Sequence, residues 1–137
     1  MTEKNSIRGK KSRAAGGRFE LKVRGELESD GWTVGKWMNN VDKEKGKIIP
    51  AKRKYNPFLK ALSVGTGFPD FVCFKKSGSL YQIIGVEAKA NGWLDKGEKE
   101  KCQFLLDKKI FSKILIAKKG KKRGEVEYID YREKNED

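Results

Sequence analysis

The sequence predicts one α/β or α+β domain, a mixed β-sheet flanked by helices. Two observations carry this expectation. Apolar residues recur at helical spacing near the start of the chain and again around residue 105, while the second half between and after them carries short alternating or continuous apolar runs. The length, 137 residues, is that of a single domain.

In chain order, residues 1–17 are polar and basic and read as a flexible arm, with residues 18–137 as the folded domain. From Arg18, the apolar residues Phe19, Val23 and Leu27 form one helical stripe, closed by Gly31. Trp32 to Met38 alternates as a strand would. Asp42 to Lys47 reads as a turn and Ile48-Ile49 as a short strand; Ala51 to Leu62 is a basic and aromatic stretch. So long an excursion within a small domain is usually functional. Phe68 to Phe74 and Leu80 to Ala90 are strands joined by a hairpin turn at Lys75 to Ser79. Asp95 and Glu98 have capping-box spacing, and the helix they open places Cys102, Leu105, Leu106 and Ile110 on one stripe. Ile114 to Ala117 is wholly apolar, as for a buried strand, and Val126 to Tyr131 follows a basic turn as an edge strand.

Composition narrows the chemistry. There are 32 Lys+Arg, 19 Asp+Glu and no His, for a net charge of +13. Without histidine, a Ser-His-Asp or Cys-His mechanism and a His-ligated metal site are excluded. Acid–base or metal chemistry must use carboxylates and lysines. The charge excess points to a polyanionic partner, nucleic acid first and an anionic membrane surface second. Cys73 and Cys102 have neither CxxC spacing nor a disulfide pattern and read as reduced core residues. With no signal peptide or membrane-length apolar run, the expected location is intracellular.

The informative residues are Gly67-Phe68-Pro69-Asp70 and, after a turn, Val86-Glu87-Ala88-Lys89. Glu87 and Lys89 lie at i and i+2 of a strand and project from one face. The strand around them is apolar on both faces, where a charge is costly unless paired or metal-bound. Antiparallel pairing could bring Asp70 beside Glu87. Two carboxylates with the Ala88 carbonyl make the oxygen-rich set that Mg²⁺ prefers. Lys89 could orient or help deprotonate an attacking water, or stabilise phosphate charge, in metal-assisted phosphodiester hydrolysis. The structural alternative is that Asp70 caps a turn and Glu87 with Lys89 forms an ion pair.

Pro69-Asp70 followed by Glu87-Ala88-Lys89 resembles the PD-(D/E)xK nuclease superfamily. Glu20-Leu21-Lys22-Val23 through Asp30-Gly31-Trp32 is similar to the opening helix of archaeal Holliday-junction resolvases, and Gly65-Thr66-Gly67 to their approach to the motif. The resemblance covers roughly Arg18 to Ala117. It implies a restriction-endonuclease-like αβββαβ core and a Mg²⁺-dependent DNA endonuclease, with Mn²⁺ as substitute. Asp70, Glu87 and the Ala88 carbonyl would be ligands, Glu20 a third acidic ligand, and Lys89 the catalytic lysine. It further implies double-stranded or branched DNA as substrate, a homodimer, no membrane partner, and a cytoplasmic protein of archaeal or viral origin. The stretch from Gly35 to Val64 is longer than the resolvase connection and looks more like that of VRR-NUC or virus-encoded nucleases. A replication-repair or restriction-type nuclease, or a non-catalytic basic nucleic-acid-binding module, are the alternatives.

Glu26 rivals Glu20 on the same helix, but six residues of helix turn it to another side. Gln103, beside the stripe of the second helix, could reach the metal or phosphate, or face solvent. Glu98 reads as a cap. Lys10, Lys11, Arg13, Lys52, Arg53, Lys54, Tyr55 and Lys60 are the expected DNA-binding residues, chosen by charge, with Tyr55 able to stack on a base. Trp93 could also stack, although core packing is the commoner fate of an aromatic. The basic turn after Ala117 is the weakest candidate for phosphate contact. Some of the charge could instead reflect a hyperthermophile surface.

Overall fold

The computed structural model describes residues 3–51, 53–56, 61–64 and 67–132, with side chains described from residue 14 onward except for residues 52–66. Helix α1 spans Glu3–Ser29; strands β1 (Thr33–Lys36), β2 (Asn39–Asp42), β3 (Lys47–Pro50), β4 (Arg53–Asn56) and β5 (Ala61–Val64) follow. Then come β6 (Phe71–Ser77), β7 (Leu80–Ala88), α2 (Lys96–Asp107), β8 (Lys113–Lys119) and β9 (Val126–Asp130). Five strands form one sheet in the order β1-β6-β7-β8-β9; β2-β3 and β4-β5 are separate hairpins. Without these hairpins, the order through β8 is αβββαβ, as expected from the sequence.

The first helix starts at Glu3, not at Arg18, so the backbone of the expected arm is helical from that residue on. The reason is local: this segment is rich in Lys, Arg and Ala and has no proline, and its glycines at 9, 16 and 17 lower helix propensity by only about 1 kcal/mol each. Phe19, Val23 and Leu27 are buried as predicted. Gly31, in the left-handed region at φ 95°, ends the segment, and the Trp32 N–H returns to the Leu27 carbonyl at 3.1 Å.

The sheet separates two apolar clusters. On one face, Val23 and Leu27 of α1 pack with Cys73, Ile84 and Val86. On the other, Cys102, Leu105 and Leu106 of α2 pack with Phe111, Ile114 and Ile116. This is strand alternation at work: Ile84 and Val86 point to α1, so Gly85 and Glu87 point to the α2 face. Strands β7 and β8 are parallel, with Ala88 opposite Ala117, and α2 is their crossover. That connection puts the first turn of α2 at the carboxyl end of β7.

One stripe residue departs from expectation. Helix α2 ends at Asp107, and Lys109 at φ 58° turns the chain, leaving Ile110 partly exposed and Phe111 buried in its place. Both cysteines are buried and unbridged, and burial pushes each thiol up to about 12. Among the described residues, no helix is long and apolar enough to cross a membrane.

Candidate active site

Asp70 immediately precedes β6, and Glu87 is the penultimate residue of β7. Their strands are antiparallel, and because Phe71 faces Val86, Asp70 and Glu87 come side by side. Each carboxylate is then held by the other strand's backbone. Glu87 Oε1 accepts the Asp70 N–H at 3.0 Å, and Asp70 Oδ2 accepts the Ala88 N–H at 2.9 Å. The Asp70 carbonyl accepts the Trp37 N–H at 3.0 Å, tying the same turn to the chain after β1.

Two glycines permit this geometry. A Cβ at Gly85 would lie 2.8 Å from Pro69 Cγ and 3.2 Å from the Phe111 ring, so only glycine lets Pro69 and hence Asp70 seat against β7. A Cβ at Gly67 would collide with the backbone carbonyl of Trp37 and lie 2.8 Å from that of Asn39. The Phe68 N–H donates to the Asn39 carbonyl at 2.8 Å.

Glu87 is the sole buried charged residue among those described, 5% exposed. Burial, then the charge and hydrogen bond of Asp70, push its pKa far above the ordinary carboxylate range, and the charge of Lys89 offsets this only in part. Glu20 lines the same cleft, about 430 Å³ in volume. Its pKa is raised by burial and by Asp70, against a lowering by Lys36.

Lys89 follows β7 by one residue and forms an ion pair with Glu98 at 2.7 Å. Burial alone would depress its ammonium, but the hydrogen bond and charge of Glu98, with Glu87 and Asp95, outweigh it and raise the pKa. Lys89 is thus a cation at neutral pH. Glu98 has two tasks: its backbone N–H donates to Asp95 at 2.8 Å and its carboxylate accepts the Asp95 N–H at 3.1 Å, closing the predicted capping box.

The structure brings Glu20, Asp70, Glu87, Ala88 and Lys89 to one cleft and adds Asn40, Asp95, Glu98 and Lys101. Sequence reading assigned Glu98 only to capping; the βαβ crossover, which returns α2 to the end of β7, was the signal that it could reach Lys89. Gln103 does not line the cleft: it is exposed and donates to Asp107 Oδ1 at 2.8 Å, so the inward alternative for it is corrected. Glu26 lies elsewhere, beside Tyr128. Trp93 is 75% exposed and is not a core aromatic. The expected DNA-binding side chains Lys10, Lys11, Arg13, Lys52, Arg53, Lys54, Tyr55 and Lys60 lie outside the described residues.

The donor set fits a hard divalent cation. Among the described residues, no three acidic or sulfur side chains converge tightly enough to enclose an ion alone. What converges is two carboxylates beside the Ala88 backbone, all oxygen donors, at a point where burial and Asp70 oppose the ionisation of Glu87, a cost that a bound cation would offset.

No protein-family profile matches the chain, and no curated protein does. Among solved structures, the chain is similar to Hjc of Archaeoglobus fulgidus, a Holliday junction resolvase from an archaeal hyperthermophile, at 19% identity and a TM-score of 0.48. The likeness covers 84% of this chain and 76% of that one. The fold itself, a mixed sheet flanked by helices with an αβββαβ core, is defined by the strand order and register.

Proposed function

We propose that this protein is a metal-dependent DNA endonuclease. The observation that carries this reading is the reciprocal clasp of Asp70 and Glu87, which holds two carboxylates together at the open end of a sheet beside a cationic lysine. Asp70, Glu87 and the Ala88 carbonyl would hold Mg²⁺, or Mn²⁺ in its place, with Glu20 as a further acidic ligand or as the group that orients one. When bound, the ion would supply electrophilic polarisation of the phosphate and offset the negative charge of the cleft.

The chain's own residues account for the rest. The backbone N–H groups of Asp70 and Ala88 fix the two carboxylates before substrate arrives, which is preorganisation. Lys89, held charged by Glu98, is suited to orient the attacking water and to stabilise charge developing on phosphate, rather than to accept a proton. Double-stranded or branched DNA is the proposed substrate, with preference for branched structures such as four-way junctions, cut by a homodimer.

The test incubates purified protein with plasmid, single-stranded and four-way-junction DNA in Mg²⁺, Mn²⁺ or EDTA. Metal-dependent cleavage lost in Lys89→Ala, with DNA binding kept, is the expected result. Binding without cleavage of any substrate in either metal would leave a non-catalytic binding module. Preference among substrates separates a junction enzyme from a replication-repair or restriction-type nuclease, and light scattering of the eluted protein tests the dimer.

A further inference from the structure

The acidic cleft has a more voluminous neighbour. It is a groove of about 730 Å³ between α1 and the turn joining β8 to β9. Arg18 and Lys22 line it from the helix, and Lys119, Lys121, Lys122 and Arg123 from the turn; Glu125 is the one acidic residue among the lining. We infer that this groove is a docking site for the phosphate backbone of DNA, serving the nuclease site proposed above and resting on that reading for its role.

Four observations favour this over a merely solvated face. The charges are concentrated in a concavity, where the fields of like charges add and attract a polyanion. Among the described residues none of these six cations is ion-paired, whereas neighbouring Lys118 is paired with Glu127 at 3.6 Å. Arg18 and Lys22 are four residues apart on a helix, a like-charge spacing that is unfavourable without an anion. The turn is also built: the Gly120 N–H donates to the Glu125 carbonyl at 2.8 Å, and the Glu125 N–H to the Lys122 carbonyl at 3.1 Å. The cationic tip is therefore presented on a closed loop.

Placement supplies the occupant. The Lys89 N–H donates to the Ala117 carbonyl at 2.8 Å and the Lys119 N–H to the Ala90 carbonyl at 3.0 Å, so groove and acidic cleft share one end of the sheet. They share one turn of α1 as well, for Glu20 lines the cleft while Arg18, Phe19 and Lys22 line the groove. The cleft, with Glu20, Asp70, Glu87, Asp95 and Glu98 against Lys89 and Lys101, repels a polyanion by itself. A nucleic acid whose scissile phosphate enters there needs attraction from an adjacent surface, and this groove provides it.

The experiment measures the salt dependence of binding to a fluorescent duplex in EDTA. It compares wild type, Lys121→Ala/Lys122→Ala, and a charge-matched control, Lys76→Ala/Lys108→Ala, at the opposite end of the sheet. All four positions are exposed, so folding should be kept, and circular dichroism checks it. The expected result is a slope of log affinity against log salt that falls by about 2 in the groove variant alone, with affinity reduced roughly ten-fold or more. Equal slopes for the groove variant and the control would overturn the proposal. So would unchanged DNA binding with lost binding to phosphatidylserine vesicles, which would make the groove a membrane surface. The two readings fail separately: a wild type that cuts nothing but shows the slope change sinks the nuclease alone, and one that cuts with no slope change sinks the groove alone.

Discussion

Asp70 and Glu87 clasp each other's strands: each carboxylate accepts a backbone N–H from the other strand, at 2.9 and 3.0 Å. A side chain held this way cannot drift when its partner is lost, because its own backbone bond remains. Asp70→Asn should therefore keep fold and DNA affinity while removing metal-dependent cleavage. Calorimetric titration with Mn²⁺ should show the bound ion lost with the activity; an unchanged Mn²⁺ isotherm would exclude Asp70 as a ligand.

Glu87 carries a stability cost when ionised. Its folded pKa is raised above the ordinary 4.5, chiefly by burial. The stability tied to its protonated form is thus fully present below about pH 4.5 and is lost as pH rises above it. In EDTA, Glu87→Gln should match wild type near pH 4 and melt higher at pH 8, by roughly 3 °C or more. Added Mg²⁺ should raise the Tm of wild type and not of the variant. A variant that melts lower at pH 8 would contradict the assignment.

Glu98 is the group that chiefly raises the Lys89 pKa against the lowering by burial. Glu98→Gln retains an amide that can close the cap but removes the charge, so the Lys89 pKa should fall toward or below the ordinary value of 10.5. The sign follows: a raised lysine pKa contributes stability below about pH 10.5 that is lost above it. The Tm gap between wild type and Glu98→Gln should hold from pH 6 to 9 and close at higher pH. Carbon NMR of the Lys89 Cε reads the shift directly.

Lys89→Ala should reduce cleavage by roughly 10²–10³-fold, the usual loss on removing one charge-stabilising donor. Lys89→Arg keeps the charge and should recover part of it. Full activity in Lys89→Ala would remove the lysine from the chemistry.

Gly85→Ala adds a methyl group facing Pro69 at 2.8 Å. Overpacking of this kind costs about 1–3 kcal/mol, and it displaces the turn that carries Asp70. Both Tm and cleavage should fall, whereas Gly25→Ala, with nothing within 4 Å of the added Cβ, should leave cleavage unchanged.

The sequence by itself determined the alternation of helices and strands, the pairing of Asp70 with Glu87 across a hairpin, and the projection of Lys89 beside them. These are local matters of periodicity, turn chemistry and strand parity. It also excluded histidine chemistry and called for a polyanion. Helix boundaries were less legible, since nothing local separates residues 3–17 from the helix that follows. Tertiary structure alone decided that Glu98 would hold Lys89, that Glu20 and not Glu26 would reach the cleft, and that Gln103 would not. It also joined Arg18 and Lys22 to a turn about a hundred residues away, raising the least favoured basic segment to the wall of a basic groove. Such contacts join positions far apart in the chain and follow from how helices settle on the two faces of a sheet, which no short-range pattern encodes.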